Sequence, residues 1–100
     1  MTVRLTWDDF KNRSNQTKHD GISFQIAARV FLDPLRLTRQ DRFEGNEERW
    51  QTIGIVNGVV LLLVAHTIVE FGPDDEQIEE IRIISARRAT PRERKHYENQ

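Results

Sequence analysis

A stripe of apolar residues with helical spacing begins directly after Ser23. Its members recur at i, i+3, i+4 and i+7, which makes one face of a helix apolar: Phe24, Ala27, Ala28 and Phe31. Ser23 is a favourable N-cap, because its hydroxyl can accept from a free backbone N–H. Asp33-Pro34 should end the helix, since a residue before proline is pushed out of the helical region. The pattern therefore predicts a helix between these two signals.

The chain before this helix is more polar. A short strand is possible over residues 2–6, and an aspartate at position 8 or 9 can cap a helix that runs to about Lys18. Trp7 and Phe10 are the expected buried anchors of this helix. Gly21 follows where the chain must turn, and glycine is favoured there because it tolerates a left-handed conformation.

Two strand-like segments, RWQTIGIV and VVLLLVAH, flank an Asn-Gly dipeptide at positions 57 and 58. This arrangement predicts a hairpin with a two-residue type I′ turn. If Val56 pairs with Val59, Arg49 lies directly opposite His66 at the open end of the hairpin, with Gln51 on the same face. The second segment is apolar on both faces, as in a central strand.

The remaining segments complete an α+β pattern. The stretch over 35–48 is polar, with a possible short strand near residues 35–38. EIRIISA predicts a third strand antiparallel to the second, and TPRE at residues 90–93 is a capping box with proline at the first helical position. We therefore expect two N-terminal helices, an antiparallel β-meander of three to four strands and a short C-terminal helix, in a single domain over residues 1–100.

Composition excludes several classes of protein. The 100 residues include no cysteine, so neither a disulfide nor a thiolate metal site is possible. No apolar segment is long enough to span a bilayer, and the N-terminus lacks a signal-peptide pattern, so a cytoplasmic protein is expected. The three histidines lack metal-ligand spacing, and there is no glycine-rich phosphate loop or nucleophile elbow. We expect no metal and no cofactor.

Charge is segregated along the chain although the formal net charge is only −1. An acidic block over residues 70–80 is followed by a basic cluster: Arg82, Arg87, Arg88, Arg92, Arg94 and Lys95. Arg82 lies inside a predicted strand, so the face of the strand that carries it must be exposed to solvent or must offer a partner for its charge. The cluster meets a helix start, where free N–H groups favour anions. Anion binding and ion pairing with the acidic block are equally compatible with this pattern.

Three runs of residues form an ordered pattern along the chain. The first joins W-D, K, N and K-H to G-I-S-F, A and V-F-x-D-P over residues 7–34, the second is E-R-W-x-T-I-G over 48–54, and the third is I-R-I-I-S-A-R-R-A-T-x-x-E-R-x-x-Y-E over 81–98. In this order and spacing they closely resemble the BrnT family of toxins from bacterial type II toxin–antitoxin pairs. Asp20 is an extra residue beside the family's K-H, and the acidic turn over residues 72–80 is longer than usual. Both departures fall in expected loops.

The resemblance implies a RelE/ParE-like fold and a metal-independent endoribonuclease that cuts RNA and blocks translation. It also implies a BrnA-like ribbon-helix-helix antitoxin, a hetero-oligomer with that antitoxin, and contact with operator DNA only through it. Two alternatives are a non-catalytic subunit that acts as operon co-repressor and a gyrase-targeting toxin of the same fold.

The chemistry of the implied RNA cleavage suggests roles for polar residues along the chain. RNA carries its own nucleophile, the 2′-OH, so cleavage needs a proton acceptor, cations for the phosphate and a proton donor. The catalytic candidates are Lys18, His19, Arg49, His66, Arg82 and Arg87, with the arginines on the phosphate and the others handling protons. The candidates for RNA binding are Arg88, Arg92, Arg94 and Lys95.

Overall fold

A computed structural model describes residues 2–100. The elements along the chain are β1 (Thr2–Trp7), α1 (Asp9–Lys18), α2 (Phe24–Ala27), a 3₁₀ helix (Ala28–Leu32), β2 (Leu37–Glu44), β3 (Glu47–Val56), β4 (Val60–Phe71), β5 (Ile78–Arg88) and α3 (Pro91–Glu98). Over the described residues the strands form one sheet in the order β1-β5-β4-β3-β2. No helix in this part of the chain is both long and apolar enough to cross a membrane.

The predicted fold class was wrong in its sheet and in its helices. The sheet has five strands and is mixed, because β1 runs parallel to β5 along the far edge. A strand of six residues carries no local signal for the partner it will pair with, since that partner lies more than 70 residues away in the chain. The expected second N-terminal helix is a single α-turn, α2, that tightens into the 3₁₀ helix.

The hairpin of β2 and β3 replaces most of the predicted polar loop. Its two-residue turn is Gly45-Asn46, and Gly45 has a φ of +60°, which favours glycine. Strand β2 is an edge strand whose side chains are almost all exposed. An exposed edge strand needs no alternation of apolar residues, so the hydrophobic pattern did not reveal it. The Gly-Asn turn was the available signal.

The hairpin of β3 and β4 forms, but its predicted register was wrong by one residue. The two turn residues have φ of +55° and +69°, and the Val59 N–H donates to the Val56 carbonyl at 3.1 Å, as in a type I′ turn. Val59 nevertheless stays outside the ladder, and Val56 pairs with Val60. The turn residues were recognised correctly, but the ladder starts one residue later.

This shift of register changes the partner of His66. Trp50, rather than Arg49, lies opposite His66. Side chains of neighbouring residues on a strand point to opposite faces, so the shift puts His66 and Arg49 on different sides of the sheet.

One face of the sheet packs against α1, α2 and the 3₁₀ helix. The core on this side contains Phe24, Ala27, Val30, Leu62, Val64 and Ile83, all essentially inaccessible. Trp7 packs against it edge-on to Phe24, with ring centroids 6.4 Å apart. Phe10, the other predicted anchor, is 71% exposed, so that prediction was wrong.

Buried polar side chains fix the helices to this face. Asn15 donates to the carbonyls of Ile22 and Ala86 and accepts from the Ala86 N–H, at 2.9, 2.9 and 3.0 Å. Asn12 accepts from the Phe24 N–H at 2.8 Å. These amides satisfy backbone groups that would otherwise be buried without partners. The asparagine of the family-like run at position 15 is therefore a structural residue.

Helix α3 lies on the other face of the sheet. It begins at the predicted capping box, in which the Thr90 hydroxyl accepts from the Glu93 N–H and the Glu93 carboxylate accepts from the Thr90 N–H. Near its end, the Tyr97 hydroxyl donates to Asp33, whose carboxylate also accepts from the N–H groups of Leu35 and Ile55. The helix is thus tied to the loop after the 3₁₀ helix.

Candidate functional site

We call the sheet face opposite α1 and α2 the open face. Along β4, Leu62 and Val64 point into the core below the helices, so Leu63, Ala65 and Thr67 point to the open face. The strand pairings place three rows of side chains there. The first is Leu37-Ile53-Leu63-Arg87, the second Arg39-Gln51-Ala65-Ser85, and the third contains Arg42 and Arg49 at one end and Thr67, Arg82 and Thr6 at the other.

Arg49 and Arg82 meet in the third row around a single carboxylate. Glu47 accepts from Nη2 of Arg82 at 2.7 Å through each of its oxygens, and Oε1 lies 3.2 Å from Nη2 of Arg49. Arg82 is therefore paired on an open face, which explains an arginine inside a strand. Each guanidinium group carries further N–H donors, and such donors can bind a second oxyanion such as phosphate.

The Arg49 guanidinium is unusual because it is only partly satisfied. Its side chain is 21% exposed, and its buried Nε has no hydrogen-bond partner among the described residues. An unpaired buried donor costs free energy that a ligand oxygen could recover. The sequence-predicted phosphate pair, Arg49 and Arg82, is thus brought together by the structure.

Arg87 lies farther along the open face and is held by α3. Its Nη1 and Nη2 donate to the two oxygens of Glu93 at 2.8 and 3.0 Å, a bidentate pair. The hydrogen bonds from Arg87 lower the pKa of Glu93 from 4.5 to about 2. Burial acts in the opposite direction, and the hydrogen bond from the Thr90 N–H adds to the lowering. The hydrogen bonds with Glu93 raise the pKa of Arg87. Glu93 therefore has a second role beyond the capping box expected from the sequence.

The two arginine positions are separated along β4. Arg87 lies opposite Leu63 and Arg82 opposite Thr67. Four residues of strand correspond to roughly 13 Å of backbone between the two positions. Between them, Ala65 and Ser85 form a floor of small side chains on which an extended ligand could lie.

Several other predicted site residues lie away from the open face. Arg88 pairs with Leu62 and therefore points to the helix side, where its Nε is 3.7 Å from Asp20. Lys18 and His19 lie at the C-terminal end of α1, which packs on that same side. On α3, by contrast, Arg92 faces the open side, and Arg94 and Lys95 are exposed.

His66 is completely buried on the helix side of the sheet. Its Nε2 is 2.7 Å from the Thr52 hydroxyl, and Nδ1 is 3.2 Å from the Thr67 carbonyl, to which it can only donate. The ring packs edge-on to Phe31, with centroids 5.1 Å apart, and burial lowers the pKa of His66. RNA therefore has no access to this ring.

The alternative in which the basic cluster pairs with the acidic block was wrong. Within residues 2–100, ion pairs of the cluster go to Glu47, Glu93 and Asp20, none of which belongs to the block. Glu80 of the block pairs instead with Arg4, at 2.6 Å. The arginines of the open face are thus oriented by carboxylates from β3 and α3.

Sequence reasoning missed Glu47 and Arg39 as members of the open face. Alternation along β3 puts Glu47 on the face of Arg49, but the predicted strand began at Arg49. Arg39 belongs to β2, which the hydrophobic pattern did not reveal. In residues 2–100 no three histidine, aspartate or glutamate side chains are grouped so that they could hold a metal ion.

Comparison with known proteins identifies the family. Residues 7–93 match the family described as "Ribonuclease toxin, BrnT, of type II toxin-antitoxin system". The chain belongs to the BrnT family. The crystal structure of the Brucella abortus ribonuclease toxin BrnT is similar in fold, with a TM-score of 0.59 and 24% identity over 89% of this chain and 99% of that one. A search of the curated proteins found no match. A BrnT toxin of a type II system has an antitoxin as its partner.

Proposed function

We propose that this BrnT chain is an endoribonuclease that cuts RNA on its open face without a metal ion. The observation that carries the proposal is the convergence of Arg49 and Arg82 on Glu47, on an exposed sheet surface. Arginine suits this task because its planar fork matches phosphate oxygens. Arg87 lies at the other end of the same face and would bind a second phosphate of the strand.

The arrangement supplies most of what RNA transesterification requires. Arg49 and Arg82 hold the scissile phosphate and stabilise the charge that grows on it in the pentacoordinate transition state. Glu47 accepts the proton of the 2′-OH, the 2′ oxygen bonds to phosphorus, and the bond to the 5′ oxygen breaks. The products are a 2′,3′-cyclic phosphate and a 5′-OH, whose proton comes from water on the exposed face.

The proposal is tested with purified protein and a labelled single-stranded RNA in buffer containing EDTA. Arg82→Ala should lower the cleavage rate on the order of 10²–10³-fold, by analogy with loss of an oxyanion donor. Glu47→Gln should lower it by roughly 10²-fold or more, as for loss of a general base. Arg13→Ala is the matched control, because Arg13 is an exposed residue of α1 on the other side of the sheet.

Two results would refute the assignment. One is cleavage by Arg82→Ala at the parental rate, and the other is cleavage that EDTA abolishes and added metal restores. Growth arrest on expression with intact RNA and damaged DNA would instead favour a gyrase target, and no arrest would favour a subunit that only binds its antitoxin.

We further propose that the partner is a BrnA-like ribbon-helix-helix antitoxin in a cytoplasmic hetero-oligomer that reaches operator DNA only through the antitoxin. The exposed basic residues Arg94 and Lys95 on α3 lie beside the open face and would steer RNA or contact this partner. Co-expression with the adjacent small reading frame, followed by gel filtration and operator binding, tests this. Operator binding by the toxin alone would contradict it.

A further inference from the structure

A cavity of about 400 Å³ lies between α3 and the open face of the sheet. Its floor is apolar and comes from the first row: Leu37, Ile53 and Leu63. Its rim is polar and comes from both β-strands and helix: Arg39, Gln51, Arg92 and His96. An apolar floor with a few polar groups at the rim, at this volume, is the usual composition of a small-molecule pocket.

The cavity adjoins the proposed cleavage site. Glu93 lines the cavity and also holds Arg87, and Gln51 lies two residues after Arg49 on the same face of β3. A strand of RNA that places one phosphate between Arg49 and Arg82 therefore brings a neighbouring nucleotide to the mouth of the cavity.

The polar rim has free hydrogen-bonding capacity. Arg39 touches the Gln51 side-chain carbonyl only through long contacts, 3.4 Å from Nε and 3.3 Å from Nη2. In residues 2–100 the Gln51 amide nitrogen and the His96 imidazole form no hydrogen bond within the protein. A side-chain amide offers a donor and an acceptor side by side, which can match the edge of a base.

We propose that this cavity binds one unstacked nucleobase of the RNA and that Gln51 and Arg39 select which base it is. The inference rests on the proposed ribonuclease function and adds to it a source of sequence preference. Single-stranded RNA is read by splaying a base out, stacking it on an aromatic ring or a guanidinium plane, and bonding its edge. His96 and Arg92 provide such planes, and the apolar floor receives the face of the ring.

Binding is tested without any cleavage step, by NMR titration of the full chain with the four nucleoside 3′-monophosphates. We expect resonances of the Gln51 side-chain amide and the His96 ring to shift, and one monophosphate to bind at least fivefold more tightly than the weakest. Gln51→Ala should reduce the spread of the four dissociation constants to within about twofold. Arg13→Ala, which removes an arginine from α1, should leave the spread unchanged.

The inference is overturned if the monophosphates shift only resonances around Arg49 and Arg82, or if Gln51→Ala preserves the discrimination. A chain that binds one base selectively but cuts no RNA would refute the proposed function and leave the base pocket standing.

If the chain does cut RNA, sequencing of the cleavage ends gives a second readout. We expect Gln51→Ala and Arg39→Ala to flatten the preference at one position next to the cut while lowering the total rate less than tenfold. Arg82→Ala should lower the rate and retain the preference. A preference unchanged in both pocket variants would overturn the assignment of these residues.

Discussion

Replacing Glu93 by glutamine separates the two contributions this residue makes to stability. Glutamine can still occupy the third position of a capping box, so the variant keeps the start of α3 and loses the charged pair with Arg87. A shift of pKa from 4.5 to about 2 has an upper limit of about 3.4 kcal/mol at neutral pH. Because the Arg87 side chain is 38% exposed, screening by water reduces our expectation to about 1–2 kcal/mol.

The stabilisation by the Glu93–Arg87 pair should depend on pH. The pKa of Glu93 is lower in the folded chain than in the unfolded one, so the pair stabilises the fold above pH 4.5 and the stabilisation fades as pH falls towards 2. Urea denaturation followed by circular dichroism at pH 7, 5, 3 and 2 measures this. The parent should be more stable than Glu93→Gln by about 1–2 kcal/mol at pH 7, with a gap that closes near pH 2.

Two comparisons make the result decisive. Glu98→Gln removes a carboxylate from the same helix and should change stability little at any pH. Glu93→Ala should cost a further roughly 0.5–2 kcal/mol at all pH values, because it also removes the capping side chain. A Glu93→Gln protein as stable as the parent at pH 7, or a gap that stays constant between pH 5 and 2, would refute the reasoning.

Four further predictions concern contacts inside the fold. Because burial lowers the pKa of His66, the parent should lose stability as pH falls below about 6.5, and His66→Phe should remove that dependence in denaturant titrations. Gly54→Ala should destabilise by about 1–3 kcal/mol in thermal unfolding, since its Cβ would lie 2.9 Å from the Val30 carbonyl oxygen, and an unchanged melting temperature would contradict this. Tyr97→Phe should cost about 1–2 kcal/mol by leaving a lone pair of Asp33 unpaired. Burial and the bond to Asp33 raise the pKa of Tyr97, so ultraviolet titration of the parent should place it at about 12 rather than 10.

The basic residues that are neighbours in the sequence do not all lie on the same face of the sheet. Adjacent in sequence, Arg87 and Arg88 point to opposite faces of the sheet and pair with Glu93 and Asp20 respectively. Arg49 and Arg82, 33 positions apart, share Glu47. The cluster seen in the sequence is therefore two separate surfaces, and only one of them is the proposed RNA-binding face.

Local signals in the sequence determined the helix starts and the Asn57-Gly58 turn correctly. The caps at Asp8, Ser23 and Thr90 and the positive-φ turn at Asn57-Gly58 depend on a few neighbouring residues, so the sequence alone specifies them. The family-like runs likewise identified the BrnT family correctly, because such motifs consist of residue types at fixed spacings along the chain.

Tertiary structure alone decided the pairing of strands and the composition of the site. Strand β1 pairs in parallel with β5, and the ladder of β3 and β4 is shifted by one residue, with His66 buried. Both features depend on contacts between distant segments, and neither changes the hydrophobic pattern within a segment. Glu47 of β3 contacts Arg82 of β5 because these two strands lie on either side of β4. The sequence alone does not bring these two residues together. A chemical site assembled across a sheet is fixed by register, and register is a property of the whole fold.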